Sequence, residues 1–290
     1  MVFFSLTSIG DLSQRFKREL KEQYSISEIQ NFLYLIFQNL MDLSQTDIHI
    51  NPGRKVSCYL VDKFTAIINE LKQDKPIQYV LGKTEFYGCV INVNPDTLIP
   101  RPETEELVRW ILDEAGGYSC KIFDIGTGSG CIAVALAKNN PAAKVFASDH
   151  SAEILKVARE NARINNTNVK FALFNIILPE TPDVYGIWDI IVSNPPYVTE
   201  SEKAQMKKNV LNYEPHNALF VPDNDPLVFY RAILEFAESN LRPGGNIFFE
   251  INELFGRQMV QLLQKFNYQN VILRKDINEK DRMIKGTKKF

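Results

Sequence analysis

The sequence predicts an α/β fold: a seven-stranded, mostly parallel sheet covered by helices, preceded by a small helical bundle and a β-hairpin linker. Three observations carry this. Residues 1–75 place apolar side chains at three- and four-residue spacing. Residues 76–100 contain an alternating stretch rich in β-formers. From Tyr118 onward, short apolar runs alternate with helical segments, the pattern of parallel strands joined by helical crossovers. The expected boundaries are 1–75 for the helical part, 76–100 for the linker and 101–290 for the α/β domain.

The bundle comes first. Its expected helices are Ile9–Gln23, Ser27–Leu40 and Arg54–Lys72, with Leu12, Phe16 and Leu20 on one apolar face and Ile29, Phe32, Leu33, Ile36 and Phe37 on another. Ser27 followed by Gln30 reads as a capping box, and Asn51-Pro52-Gly53 as a turn between helices. Glu85–Val93, with Gly88 at its middle, reads as the hairpin. In the α/β part the expected strands are Cys120–Gly126, Lys144–Asp149, Val169–Phe174, Trp188–Ser193, Asn246–Ile251, Val271–Lys275 and Arg282–Thr287. The expected helices are Cys131–Lys138, Ser151–Asn165, Pro226–Asn240 and Phe255–Phe266. The stretch Tyr197–Asp225 is long and poor in regular pattern, and long loops of this kind are usually functional, so it is expected to form a lid. Lys203, Lys207 and Lys208 on it, and the tail Lys285, Lys288 and Lys289, are read as solvated faces.

Composition narrows the class. The 290 residues suit two modest domains. Apolar residues at 45% and charged residues at 23% exclude a disordered or fibrous chain. No apolar run approaches the ~18 residues of a membrane span, so no membrane partner is expected. The start, Met1–Gly10, has no Lys or Arg and is expected to be a folded segment, not a secretion signal. With Lys plus Arg at 33 against Asp plus Glu at 35, net −2, nucleic acid is disfavoured as the main partner. Residues 1–75 are balanced too, nine basic against nine acidic, which suits protein docking. Cys58, Cys89, Cys120 and Cys131 form no C-x-x-C pair and are expected to be free, buried thiols of a reducing cytoplasm. Neither H-E-x-x-H nor G-x-S-x-G occurs, and no metal site is expected.

Asp124-Ile-Gly126-Thr127-Gly128-Ser129-Gly130 ends the first strand of the sheet and opens a helix. Glycines there let the backbone approach a ligand closely, and the helix N–H groups beyond them face it. The third glycine arrives too early for the dinucleotide pattern G-x-G-x-x-G. The G-x-G-x-G form behind an acidic residue instead resembles the first motif of S-adenosylmethionine-dependent methyltransferases, a Rossmann-like family. Asp149, at the end of the second strand, is placed to accept hydrogen bonds from both ribose hydroxyls, or else to cap the helix near Ser151. Asp124 is a candidate for the methionyl part. Asn175 and Ile176, after the third strand, are candidates for the adenine, and His150 follows the ribose acid.

Asn194-Pro195-Pro196-Tyr197 leaves the fourth strand at its carboxyl end. Prolines cannot continue a ladder, so they fix the backbone there. An Asn side-chain oxygen and the Pro195 carbonyl can both accept hydrogens from one planar NH2 group and aim its nitrogen at a methyl donor, with Tyr197 as a wall. The alternative is a strand terminator with incidental neighbours.

N-P-P-Y behind such a glycine loop resembles the amino-methyltransferases of nucleic acids and proteins. Pro76-Ile-Gln-Tyr79, Gly82-Lys-Thr-Glu85-Phe86, Leu98-Ile-Pro-Arg101-Pro102-Glu103-Thr104-Glu105, Tyr213-Glu214-Pro215, Ala218-Leu219 and Asp281-Arg282 together resemble the bacterial release-factor glutamine N5-methyltransferase family (PrmC/HemK). The resemblance implies a helical substrate-docking domain and a monomeric cytoplasmic enzyme. It implies methyl transfer from S-adenosyl-L-methionine to the Gln of the Gly-Gly-Gln motif in class 1 peptide chain release factors. It also implies that Asn194, Pro195, Pro196 and Tyr197 hold the Gln amide. Asp124, Gly126, Thr127, Gly128, Ser129, Gly130, Asp149, His150, Asn175, Ile176 and Asn194 would hold the cofactor. The alternative is an amino-methyltransferase acting on adenine or guanine of nucleic acid.

Overall fold

The computed structural model describes residues 7–178 and 186–290. Most of the expected folded start, residues 1–6, lies outside the described residues. The chain divides into two compact units, Met1–Gly82 with Lys208–Tyr213, and Lys83–Lys207 with Glu214–Phe290. Among the described residues no helix is long and apolar enough to cross a membrane.

The first unit is a bundle of α1 (Ile9–Leu20), α2 (Ile26–Met41), α3 (Gln45–Ile50), α4 (Cys58–Leu71) and α5 (Ile77–Leu81). Capping boxes start three of them: Ser8 with Asp11, Ser25 with Glu28 and Ser44 with Asp47, each side chain accepting from the other's backbone N–H. The expected cap at Ser27 is therefore displaced to Ser25, because Glu28 reaches back to the Ser25 N–H. The third expected helix starts late, at Cys58: Ser57 caps it, and the Val56 N–H before it donates to the Thr7 carbonyl. The helix α3 was not expected. Phe64 of α4 meets Phe16 and Phe37 with ring centroids 5.6 and 5.2 Å apart, the centre of this unit's own core. The five-residue α5 packs with α2 and α4, so this unit runs past residue 75 to Gly82, where the backbone turns left-handed.

The second unit opens with a hairpin, β1 (Lys83–Phe86) and β2 (Cys89–Asn92). Its two-residue turn, Tyr87-Gly88, has positive φ at both positions, the twist that suits a tight hairpin. The helix α6 (Pro102–Ala115) follows, with proline at its start. Sequence reasoning left this stretch unassigned.

The remaining main elements are β3 (Lys121–Ile125), α7 (Cys131–Asn139), β4 (Lys144–Asp149), α8 (Ala152–Ile164), β5 (Val169–Leu173) and β6 (Trp188–Ser193). After them come β7 (Val198–Thr199), α9 (Lys208–Tyr213), β8 (Phe220–Val221), α10 (Val228–Asn240), β9 (Leu241–Glu250), α11 (Gly256–Lys265), β10 (Tyr268–Lys275) and β11 (Asp281–Lys288). The seven-stranded sheet has the order β10-β11-β9-β6-β3-β4-β5. Only β11 runs antiparallel to its two neighbours. Chain order reverses beside β3: β4 and β5 lie on one side, β6 and β9 on the other. The carboxyl ends of β3 and β6 therefore border the crevice where such sheets take ligands. Phe123, Ile125, Ile191, Ile247 and Phe249 pack under α10 and α11. The alternate residue Phe248 meets Trp110 of α6 edge-on, with centroids 5.4 Å apart.

Three expectations need correction. Tyr197–Asp225 is not irregular: β7 pairs with β8 in parallel, and short helices fill the interval. Elements of two to six residues are too short to imprint a hydrophobic period. Two of the three tail lysines are not solvated: buried Lys285 pairs with Glu114 at 2.7 Å, and Lys288 donates to the carbonyls of Ala237 and Leu241 at the end of α10, while Lys289 is exposed as expected. The four cysteines are free, but only Cys89 and Cys131 are buried; Cys58 is exposed and Cys120 half-buried.

Candidate active site

A cavity of about 390 Å³ opens at the carboxyl ends of β3, β4 and β6. Gly126, Thr127, Gly128 and Ser129 line it from one side, and Asn194, Pro195 and Pro196 from another. Asp149, His150, Asn175 and Ile176 also line it. Three expected residues do not: Asp124, Gly130 and Tyr197 stand behind its wall.

The glycine loop is held from below. The N–H groups of Gly126 and Thr127 donate to the Ser148 carbonyl at 2.9 and 2.8 Å, and the Gly128 N–H donates to Asp149 Oδ2 at 2.9 Å. Gly130 supports without touching the cavity. Its φ is +82°, and a Cβ there would stand 3.0 Å from the Ala158 Cβ, so a bare backbone lets α7 start against α8.

Asp149 is 4% exposed, and its Oδ1 stands 3.0 Å from His150 Nδ1. That hydrogen bond raises the His150 pKa above its ordinary value. The cap of α8 is Ser151, whose hydroxyl accepts from the Ile154 N–H, so Asp149 is not the helix cap. Asp124 is fully buried. Its Oδ2 accepts from the Thr127 hydroxyl at 2.6 Å, while its Oδ1 has no partner. Burial pushes its pKa up to about 7, and the nearby Asp149 charge adds to this. Asn175 Oδ1 accepts from the Ile177 N–H at 3.0 Å. Ile132, Ile154, Phe174, Phe229 and Ile233 complete an apolar wall.

Beyond β6, Ser193 donates to the Ile125 carbonyl at 2.6 Å and ties the two strand ends together. Asn194 Nδ2 donates to Thr104 Oγ1 at 3.4 Å. Tyr197 turns its hydroxyl away to donate to Glu250 Oε1 at 3.0 Å. Burial raises the Glu250 pKa, against the pull of the Thr104 and Tyr197 hydroxyls.

Sequence reasoning missed several wall residues. Thr104 lines the cavity from the first turn of α6, the helix left unassigned. Arg101, also on the wall, forms an ion pair at 2.6 Å with buried Glu214, whose other oxygen accepts from the Ile99 N–H. Both stood within motif stretches that carried no role. A charged residue closing the apolar strand Ile247-Phe248-Phe249 was the available signal for Glu250.

Residues 11–82 match the family model described as the PrmC N-terminal domain, and residues 104–218 match the methyltransferase small domain. Among solved structures, a methyltransferase from Pyrococcus furiosus is 22% identical and covers 70% of this chain and 90% of that one, with a TM-score of 0.51. That likeness shows the fold. A release factor glutamine methyltransferase of Flavobacterium psychrophilum is 47% identical over 281 residues, 96% of this chain and 98% of that one. One of Bacteroides thetaiotaomicron is 42% identical over 92% of this chain and 96% of that one. At 47% identity over 96% of its length, and with its N-terminal unit matching the family model for that part, this chain belongs to the release factor glutamine methyltransferase family.

Proposed function

We propose that the chain transfers the methyl group of S-adenosyl-L-methionine to the side-chain nitrogen of the Gln in the Gly-Gly-Gln motif of class 1 peptide chain release factors. The observation that carries this reading is the shared cavity: the glycine loop and Asn194–Pro196 border one crevice although they are far apart in the chain.

The wall fits the cofactor chemically. A buried acid ends β4, the glycine loop leaves open space at Gly128, and an apolar slot lies alongside. Asp149 would take the ribose hydroxyls, Phe174 and Ile176 would flank the adenine with Asn175 at its edge, and the loop backbone would take the methionyl end. S-adenosylmethionine supplies a methyl group on a cationic sulfur.

The remaining work falls to the chain. Asn194 Oδ1 and the Pro195 carbonyl accept the two N–H bonds of the substrate amide. This holds the nitrogen in place and draws its lone pair away from the neighbouring carbonyl. Pro196 keeps the segment rigid. Tyr197 packs beside it, its ring fixed through Glu250. We place the enzyme in the cytoplasm as a monomer, with a release factor as its partner and neither nucleic acid nor membrane. Four free cysteines suit that compartment.

The test uses a labelled methyl donor with intact release factor, with a release factor lacking the Gln, and with nucleic acid. Label confined to the Gln-bearing release factor is expected; label in nucleic acid instead overturns the reading. Asn194→Ala is expected to keep cofactor affinity and to lose turnover on the order of a hundredfold to a thousandfold, the usual cost of one transition-state hydrogen-bond partner. Equal collapse of cofactor affinity, measured by calorimetry, would make Asn194 structural.

A further inference from the structure

Behind the cavity wall lies a carboxylate that the reaction above does not use. Glu250 closes β9 and is 1% exposed. Its Oε2 accepts from the Thr104 hydroxyl at 2.6 Å and its Oε1 from the Tyr197 hydroxyl at 3.0 Å. Burying a charge is costly, and these two hydroxyls offset part of that cost.

The direction of these bonds constrains the Asn194 amide. Both bonds run from a hydroxyl to a Glu250 oxygen, and Thr104 has one hydroxyl hydrogen. That hydrogen goes to Glu250. Thr104 Oγ1 is left with lone pairs only, so the Asn194 atom 3.4 Å away must be the donor, Nδ2. The contact is long, yet it is enough to make one orientation of the amide better than the other. An asparagine amide has nearly the same shape in both orientations, and its neighbours decide between them. With Nδ2 on Thr104, Oδ1 has no protein donor among the described residues and is the acceptor end presented to a substrate NH2. The flipped amide would present a second donor to that NH2, and the two would repel.

We propose that Glu250 and Thr104 are positioning residues: through a directed chain of hydrogen bonds they set which end of the Asn194 amide meets the substrate, while Glu250 holds the Tyr197 ring with its second oxygen. One carboxylate on β9 thereby aligns both polar side chains of the N-P-P-Y segment. The inference rests on the function proposed above, since it assigns Asn194 Oδ1 to a substrate NH2.

Thr104→Val removes the hydroxyl at almost constant shape, and Thr104→Ser restores it. Expected for Val is a fall in kcat of roughly tenfold to a hundredfold, smaller than loss of the direct partner, with cofactor affinity within about twofold by calorimetry. Ser is expected to recover most of that turnover. Combined with Asn194→Ala, Val is expected to add no further loss, because two residues acting as one unit are not additive. A second readout needs neither cofactor nor substrate. In the free protein, nuclear magnetic resonance is expected to show the Asn194 side-chain amide less protected from exchange in Val than in wild type, and protected again in Ser. Equal behaviour of Val and Ser, a loss in Val that multiplies onto Asn194→Ala, or a matching fall in cofactor affinity would each overturn the proposal. A wild-type protein that leaves release factor unmethylated would overturn the function instead, and the exchange measurement would still decide the orientation of Asn194.

Discussion

Asp124 sits fully buried at the end of β3, with one carboxylate oxygen bonded to Thr127 and the other without a partner. Burial lifts its pKa from 3.8 to about 7. The folded protein therefore holds a proton that the unfolded chain has already released between those two values. Stability from this group is present at acidic pH and is lost as pH rises from about 4 through about 7. Asp124→Asn keeps an oxygen for the Thr127 hydroxyl and removes the titration. The variant is expected to show a flatter pH dependence of its urea midpoint and to be more stable than wild type at about pH 8, with little difference at about pH 4. A variant that loses stability equally at both would show that the carboxylate makes a favourable contact in its charged form.

The start of α7 depends on one missing side chain. Gly130 has φ +82°, a backbone that disfavours any residue with a Cβ, and Ala158 of α8 lies where that Cβ would go. Gly130→Ala is expected to cost roughly 1–3 kcal/mol, the range for a strained left-handed residue. It is also expected to weaken cofactor binding, because α7 can no longer seat against α8 with the loop in place. Urea unfolding and calorimetry measure the two effects. A neutral substitution would mean that α8 yields freely. In the sequence this glycine stands out only as too early for a dinucleotide motif. Its physical role, close helix packing, needed the neighbouring helix to be seen.

Both tryptophans of the chain, Trp110 in α6 and Trp188 in β6, belong to the unit built on the seven-stranded sheet. Intrinsic fluorescence therefore reports on that unit, whereas circular dichroism also sees the bundle with its own core. Cofactor bound in the cavity stabilises the folded form by mass action, by roughly 2.7 kcal/mol at a hundredfold excess over Kd. The fluorescence-detected midpoint is expected to rise accordingly with S-adenosylmethionine. An unmoved midpoint at saturating cofactor would place the binding site outside this unit.

Much of this organisation was legible locally. Trp188–Ser193 and Lys144–Asp149 were bounded correctly, because apolar runs flanked by turn formers announce themselves within a few residues. The glycine loop and the N-P-P-Y segment carried their chemistry in consecutive residues. The short β7, β8 and α9 and the paired state of Lys285 and Lys288 were not legible, each being decided by what packs against it. The helix α6 does carry its own signal, proline at its start and Leu107, Val108, Trp110, Ile111 and Ala115 at helical spacing. What the amino-acid order determined alone was most of the longer elements and the candidate groups at their ends, since capping, turn chemistry and periodicity act between near neighbours. The tertiary structure alone decided that β11 turns back antiparallel between β9 and β10, and that Thr104 and Glu250, 146 residues apart, meet behind Asn194. Strand order and buried polar pairing follow from closing one core, a sum over distant contacts that no short stretch of sequence contains.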